Sequence, residues 1–279
     1  MEIVADAFCK VSMAPPVINL IKEYNICRLS LNSSSASFYL RDISKKIAEC
    51  RESKKPVLDL SNEELPQLQN NVFEDLPWIT ELYLYNNKLT SLPPSIGHLT
   101  NLQHLLMQQN MLTKLPKELS NLTHLKQLDL RHNRLEGNLP PCISGLCSLE
   151  SLLLRYNKLT SIYGIQGLKN LTCLVICHNS LKQEIPETVG ELTHLTTLDL
   201  SHNQITSLPE SIGKCKSLRS LNLQHNQLRH LPDSIGCMQN LCKLTLKRRR
   251  NEDPQLHFPP STLTMAAISS LCNRSLSRG

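Results

Sequence analysis

Leucines separated by one polar residue recur along most of the chain. In LTTLDLSHNQITSLP, Leu195 to Pro209, Leu198 and Leu200 flank Asp199, and Asn203, Ile205, Leu208 and Pro209 follow. Residues two apart point to one face of a strand, so each LxL unit predicts a short strand with one buried face. The same spelling returns at Leu82, Leu84, Asn87, Leu89, Leu92 and Pro93, and again at Leu221, Leu223, Asn226, Leu228, Leu231 and Pro232. The asparagines Asn87, Asn110, Asn133, Asn157, Asn179, Asn203 and Asn226 are spaced by 23, 23, 24, 22, 24 and 23 residues. An earlier unit starts at Leu58 and Leu60 with Glu63 in the asparagine position, and a later one at Leu244 and Leu246 with Arg249 there.

A period of this length and spelling is that of the leucine-rich repeat. It predicts an α/β solenoid of about eight to nine repeats over residues 57–247. The expected shape is a curved horseshoe, with a parallel sheet on the concave face and short helices and turns on the convex face. One unit cannot bury its leucines alone, and stacking makes a continuous core. Return arms of the type Pro209, Ile212, Leu218 close each unit. The asparagine amide both donates and accepts, so the seven asparagines are expected to turn inward as a structural ladder that pairs backbone groups at the strand ends.

The flanks break the pattern. Residues 1–40 carry no repeat, Pro15 and Pro16 interrupt any helix there, and Asn32 to Ser37 is serine-rich; a flexible segment is expected. In RDISKKIAECRES, Ile43, Ile47 and Cys50 fall at i, i+4 and i+7, which predicts an amphipathic capping helix over 41–56. Phe73, Leu76 and Trp78 make the first arm irregular, inserted residues near Gly137 and Gln183 lengthen two loops, and the unit after Asn157 lacks its proline, with Tyr163 after Ile162. Beyond Leu246 the period stops. Residues 248–279 read as an irregular, disordered tail, leaving Leu241, Leu244 and Leu246 as an apolar edge that promotes self-association.

Composition narrows the function. No stretch approaches ~18 consecutive apolar residues, so no membrane span is expected, and MEIVADAFCKVSMAPP lacks the apolar core of a secretion signal. The 11 cysteines are scattered, and Cys173 and Cys177 lie four apart on one strand. That is ~13 Å at ~3.3 Å per residue, too far for a disulfide. A reducing, cytoplasmic setting follows, with the basic run Lys247 to Arg250 admitting a nuclear location as well. The net charge of +6 is modest and no basic stripe with interleaved aromatics occurs, which excludes nucleic acid as the expected partner. With Gly at 9 of 279 residues there is no glycine-rich phosphate loop, and neither an HExxH motif nor a nucleophile elbow occurs; no enzyme activity, cofactor or metal is expected.

The positions that alternate with the buried leucines must face the concave side. They carry Tyr83 and Tyr85 near one end, then Asp129, Arg131, Arg155 and, one position on, Tyr156. Tyr and Arg are enriched at binding hot spots. A sheet of nine strands at ~4.8 Å spans roughly 40 Å, enough for a protein partner burying about 800 Å². His132, His178, His202 and His225 recur one position before an asparagine and read as solvated loop histidines, not metal ligands.

Beyond the generic period, ELYLYNNKLTSLP (Glu81 to Pro93), LDLRHNRL (Leu128 to Leu135), LLLRYNKLTSI (Leu152 to Ile162), LDLSHNQITSLPESIGKC (Leu198 to Cys215) and LNLQHNQLRHLPDSIG (Leu221 to Gly236) resemble the suppressor-of-clear homologue family. These are the Ras-binding leucine-rich-repeat scaffolds of the MAP-kinase pathway, here in a shortened array. The resemblance covers residues 43–247 and includes the non-consensus Tyr83, Tyr85, Arg131, His132 and Arg155. It implies a non-enzymatic scaffold that binds a Ras-family GTPase and the catalytic subunit of type-one protein phosphatase, with Raf kinase as a further partner. It also implies that Tyr83, Tyr85, Asp129, Arg131 and Arg155 are concave contact positions. The alternative is a generic intracellular leucine-rich-repeat adaptor with another protein partner.

Overall fold

The computed structural model describes residues 34–246. The expectations for the first 33 residues, for the basic run and for the tail fall outside these described residues. Helix α1, Ser34–Ser53, opens the described chain. It starts before the expected boundary at residue 41, because the serine-rich stretch is itself helical from Ser34. Serine is a weak helix former in mid-helix but is favoured where a helix begins. Ile43, Ile47 and Cys50 are buried against the first repeat. Lys46 donates to the Glu63 carboxylate, and Lys54 lies 3.5 Å above the Trp78 ring. Glu63 thus replaces the ladder asparagine at the end where a charged helix, not another repeat, is the neighbour.

The strands are β1 (Val57–Asp59), β2 (Glu81–Tyr83), β3 (His104–Leu106), β4 (Gln127–Asp129), β5 (Glu136–Asn138), β6 (Ser151–Leu153), β7 (Lys158–Ser161), β8 (Cys173–Val175), β9 (Lys182–Glu184), β10 (Thr197–Asp199), β11 (Gln204–Ser207), β12 (Ser220–Asn222) and β13 (Lys243–Thr245). Nine of them form one sheet in the order β1-β2-β3-β4-β6-β8-β10-β12-β13, all parallel. Leucine pairs with leucine across every strand pair, from Leu58 opposite Leu82 to Leu221 opposite Leu244. This row and the second leucine or other apolar residue of each unit, such as Leu84, Met107 and Ile176, form the buried core.

The asparagines fix each strand end. Asn133 donates from Nδ2 to the carbonyls of Met107 (2.9 Å) and Leu130 (3.1 Å), and its Oδ1 accepts from the Leu112 N–H at 3.0 Å. Asn87, Asn110, Asn157, Asn203 and Asn226 repeat this bonding. Asn179 does so half-buried. Each asparagine therefore bridges two repeats. The residue before it turns left-handed, with φ between 52° and 58° at Asn86, Gln109, His132, Tyr156, His178, His202 and His225.

The return arms run through short 3-10 helices such as Pro94–His98, Glu187–Glu191 and Glu210–Lys214, each entered from a proline. The arm without a proline, Ile165–Gly167, is entered from Gly164 at φ +94°, a conformation that favours glycine. The inserted residues do more than lengthen loops. The segment at Gly137 becomes β5, which pairs in parallel with β7, and the segment at Gln183 becomes β9, which pairs with β11. Both two-stranded sheets lie outside the main sheet and carry a register shift. The eight cysteines of the described residues are free thiols.

Candidate functional site

Each concave side chain is set by its place in the LxL unit. Tyr83 and Tyr85 lie on and just past β2, with ring centroids 6.5 Å apart. The Tyr83 hydroxyl donates to the Glu81 carboxylate, which pushes its phenol above the usual range. Tyr85 is half-buried, so the pair offers edges more than whole faces.

Asp129 and Arg131 come together two strands on. Arg131 Nε lies 3.0 Å from both Asp129 oxygens and its Nη2 lies 2.6 Å from Oδ2, while the Arg131 backbone N–H also donates to Oδ1 at 3.0 Å. The Asp129 side chain is 2% exposed and that of Arg131 41%. A carboxylate so buried between Leu106 and Leu153 needs its cation. Arg131 keeps its place on the concave face, with its guanidinium held by Asp129, which also raises its pKa.

Arg155 is different. It is exposed, its guanidinium carbon sits 4.6 Å from the Tyr156 ring centroid, and Nη2 donates to the Tyr156 hydroxyl at 3.2 Å. An arginine held over an aromatic ring loses less freedom on binding an anionic group. Of the six residues read as contacts, Arg155 and Tyr156 are therefore the exposed, pre-positioned pair. They are separated from the Tyr83 and Tyr85 pair by three strand intervals, roughly 14 Å at ~4.8 Å each.

Two features go beyond the six residues read as contacts. Leu106, Leu153 and Val175 are half-exposed in register with Asp129 and Asp199, so the face has an apolar strip crossed by acids. Their alternation with the buried leucines was the available signal. Second, the histidines are not independent solvated groups. His178, His202 and His225 are half-buried, and the rings stack: His178 to His202 at 4.0 Å and His202 to His225 at 4.2 Å between centroids. Near-parallel rings do not aim their nitrogens at one ion, because a ligand ring must hold the metal in its own plane. Among the described residues no group of three or more His, Cys, Asp or Glu could hold a metal.

Cys177 is nearly fully buried on this face, and burial, then Asp199, pushes its thiol up to about 11. It stays a thiol near neutral pH and is no nucleophile. At the opposite strand ends a polar groove of about 650 Å³ is lined by residues including Lys126, Glu150, Thr172, His194, Thr196 and Arg219. The hydroxyls of Thr172 and Thr196 are already spent on the carbonyls of Glu150 and Thr172. No helix among the described residues is long and apolar enough to cross a membrane.

Comparison with known proteins agrees with the repeat fold. Leucine-rich repeat protein SHOC-2 of Danio rerio is 43% identical over 61 residues, which is 22% of this chain and 11% of that protein. The soc-2 homolog of Drosophila ananassae is 44% identical over 64 residues, 23% of this chain and 10% of that protein. The matched stretch thus spans about a tenth of these relatives. Among solved structures, a leucine-rich repeat protein of Leptospira interrogans superposes with a TM-score of 0.63 at 35% identity, covering 74% of this chain and 59% of that one. The ectodomain of a plant membrane receptor kinase from Arabidopsis thaliana gives a TM-score of 0.63 at 37% identity, covering 74% of this chain and 25% of that one. The leucine rich repeat family itself matches at residues 56–112, 78–135, 169–228 and 193–249, together more than half of the chain. The chain belongs to the leucine-rich repeat family.

Proposed function

We propose that this protein is a non-enzymatic scaffold of Ras–MAP-kinase signalling. In this reading its concave face docks a Ras-family GTPase and the catalytic subunit of type-one protein phosphatase, and Raf kinase is the further partner on which the assembly acts. The protein works in the cytoplasm. The similarity to SHOC-2 and soc-2 proteins supports the scaffold class. The observation that carries docking is the exposed Arg155 held over Tyr156, on a sheet whose neighbouring Arg131 is internally neutralised. One free, oriented guanidinium beside the half-exposed Leu153 and Val175 suits an acidic residue flanked by apolar ones on a partner.

A pull-down with the full chain as bait tests this reading. Ras-family GTPases loaded with GTP should be retained, those loaded with GDP should not, and the phosphatase subunit should be retained with the GTP form. Retention of neither protein would overturn it. The short share of the SHOC-2 relative that is matched favours one other reading, a general adaptor for a different protein partner. That reading predicts that neither protein is retained.

A further inference from the structure

In five successive repeats the residue before the ladder asparagine carries a ring: His132, Tyr156, His178, His202 and His225. The centroid separations are 4.5, 4.3, 4.0 and 4.2 Å in that order, with interplanar angles of 30°, 22°, 12° and 30°. All five residues have φ between 53° and 56°. The left-handed turn fixes where each ring starts, and the repeat spacing of ~4.8 Å sets the stacking distance. The two preceding repeats place Asn86 and Gln109 at the same position and the same turn.

Such a column depends on the protonation of its imidazoles. Neutral rings attract face to face, whereas protons on adjacent rings place like charges about one ring thickness apart. At His178 the neighbouring cations favour the neutral form. The Arg155 guanidinium lies over Tyr156 in the middle of the column. The exposed Arg134 and Lys158 follow His132 and Tyr156 by two residues in the turns. On the concave side Asp129 is taken by Arg131, while Asp199 faces His178 and favours its charge. The balance falls on the neutral side: burial, then Arg155, holds His178 below the ordinary histidine value.

We propose that this stacked column is a proton-operated switch, closed while its imidazoles are neutral and loosening the turns of the last five asparagine repeats when they are charged. This stands apart from the docking reading, since it needs no partner. The sign follows from linkage. A base whose pKa is depressed on folding contributes stability that is complete above the unfolded value, near 6.5, and that is lost as the pH falls below it.

The test is a pH titration of the imidazoles of the full chain by long-range proton–nitrogen NMR. It compares wild type with His202→Asn and with His225→Asn. Asparagine keeps a residue suited to the left-handed turn, as Asn86 shows, so these variants fold. The expected result is a broadened His178 titration with a midpoint below the ordinary histidine range, which sharpens and rises in His202→Asn. The melting temperature of wild type should also fall more between pH 7.5 and pH 5.5 than that of His178→Asn/His202→Asn. A His178 curve of simple one-proton shape, unchanged in His202→Asn, would overturn the proposal. So would equal acid sensitivity of melting in wild type and double variant.

Discussion

Asn203 donates to the carbonyls of Ile176 and Leu200, each at 3.0 Å, and accepts from the Leu181 N–H at 3.0 Å. Asn203→Ala removes these bonds, and a further one to the Ser201 carbonyl at 3.2 Å, from a buried site. Leaving a buried polar group unpaired costs about 1–3 kcal/mol. Urea unfolding should show a loss in that range with little change in slope; an unchanged midpoint would mean that the ladder does not hold the repeats. The asparagine role was legible because one residue type recurs at one place in a fixed period, and that place is buried in each of these repeats except at Asn179, where it is half-buried. The role of Arg131 was not. Residues two apart on a strand share a face, but the spacing is silent on whether the arginine extends to a partner or folds back on Asp129. The histidine column was half legible. Its members were in view as a series, while their stacking depends on the left-handed turn that aims each ring at the next.

Among the elements, the convex arms are the tightest. A Cβ on Gly190 would meet the Ser211 carbonyl oxygen at 2.4 Å and the Ser211 Cβ at 2.7 Å. Backbone of the next arm cannot yield cheaply, so Gly190→Ala should cost about 1–3 kcal/mol as overpacking. Gly137 is the contrast, with nothing within 4 Å of a Cβ but φ at +72°, so Gly137→Ala should cost roughly 1–2 kcal/mol through the backbone alone. Thermal melting of both variants checks this. A neutral Gly190→Ala would show that the arms are looser than described. The nine-stranded sheet follows directly from LxL spacing. The start of α1 and the pairings of β5 with β7 and of β9 with β11 do not. The two pairings depend on contacts that an inserted residue makes only in its folded surroundings, and a helix that begins in a run of weak helix formers gives little signal of its start.

At the scale of the whole molecule, each repeat packs on its neighbours, so the shape of the array is set locally and the concave side of its sheet stays open. The leucine row buries its own side and leaves the other to Tyr83, Tyr85, Arg155 and Tyr156. Arg155 is exposed and unburdened by any carboxylate bond, so removing it should weaken docking with little effect on folding. The most direct measurement is a calorimetric titration of the full chain with a GTP-loaded Ras-family GTPase and the phosphatase catalytic subunit. Wild type is compared with Arg155→Ala and with Lys169→Ala, whose charge pairs with Glu191 on the return arms at 2.6 Å. Binding by wild type and by Lys169→Ala, with affinity lower by about 2 kcal/mol or more in Arg155→Ala, is the predicted result. Equal affinity in all three proteins, or no binding by wild type, would contradict the concave face as the docking surface for these partners.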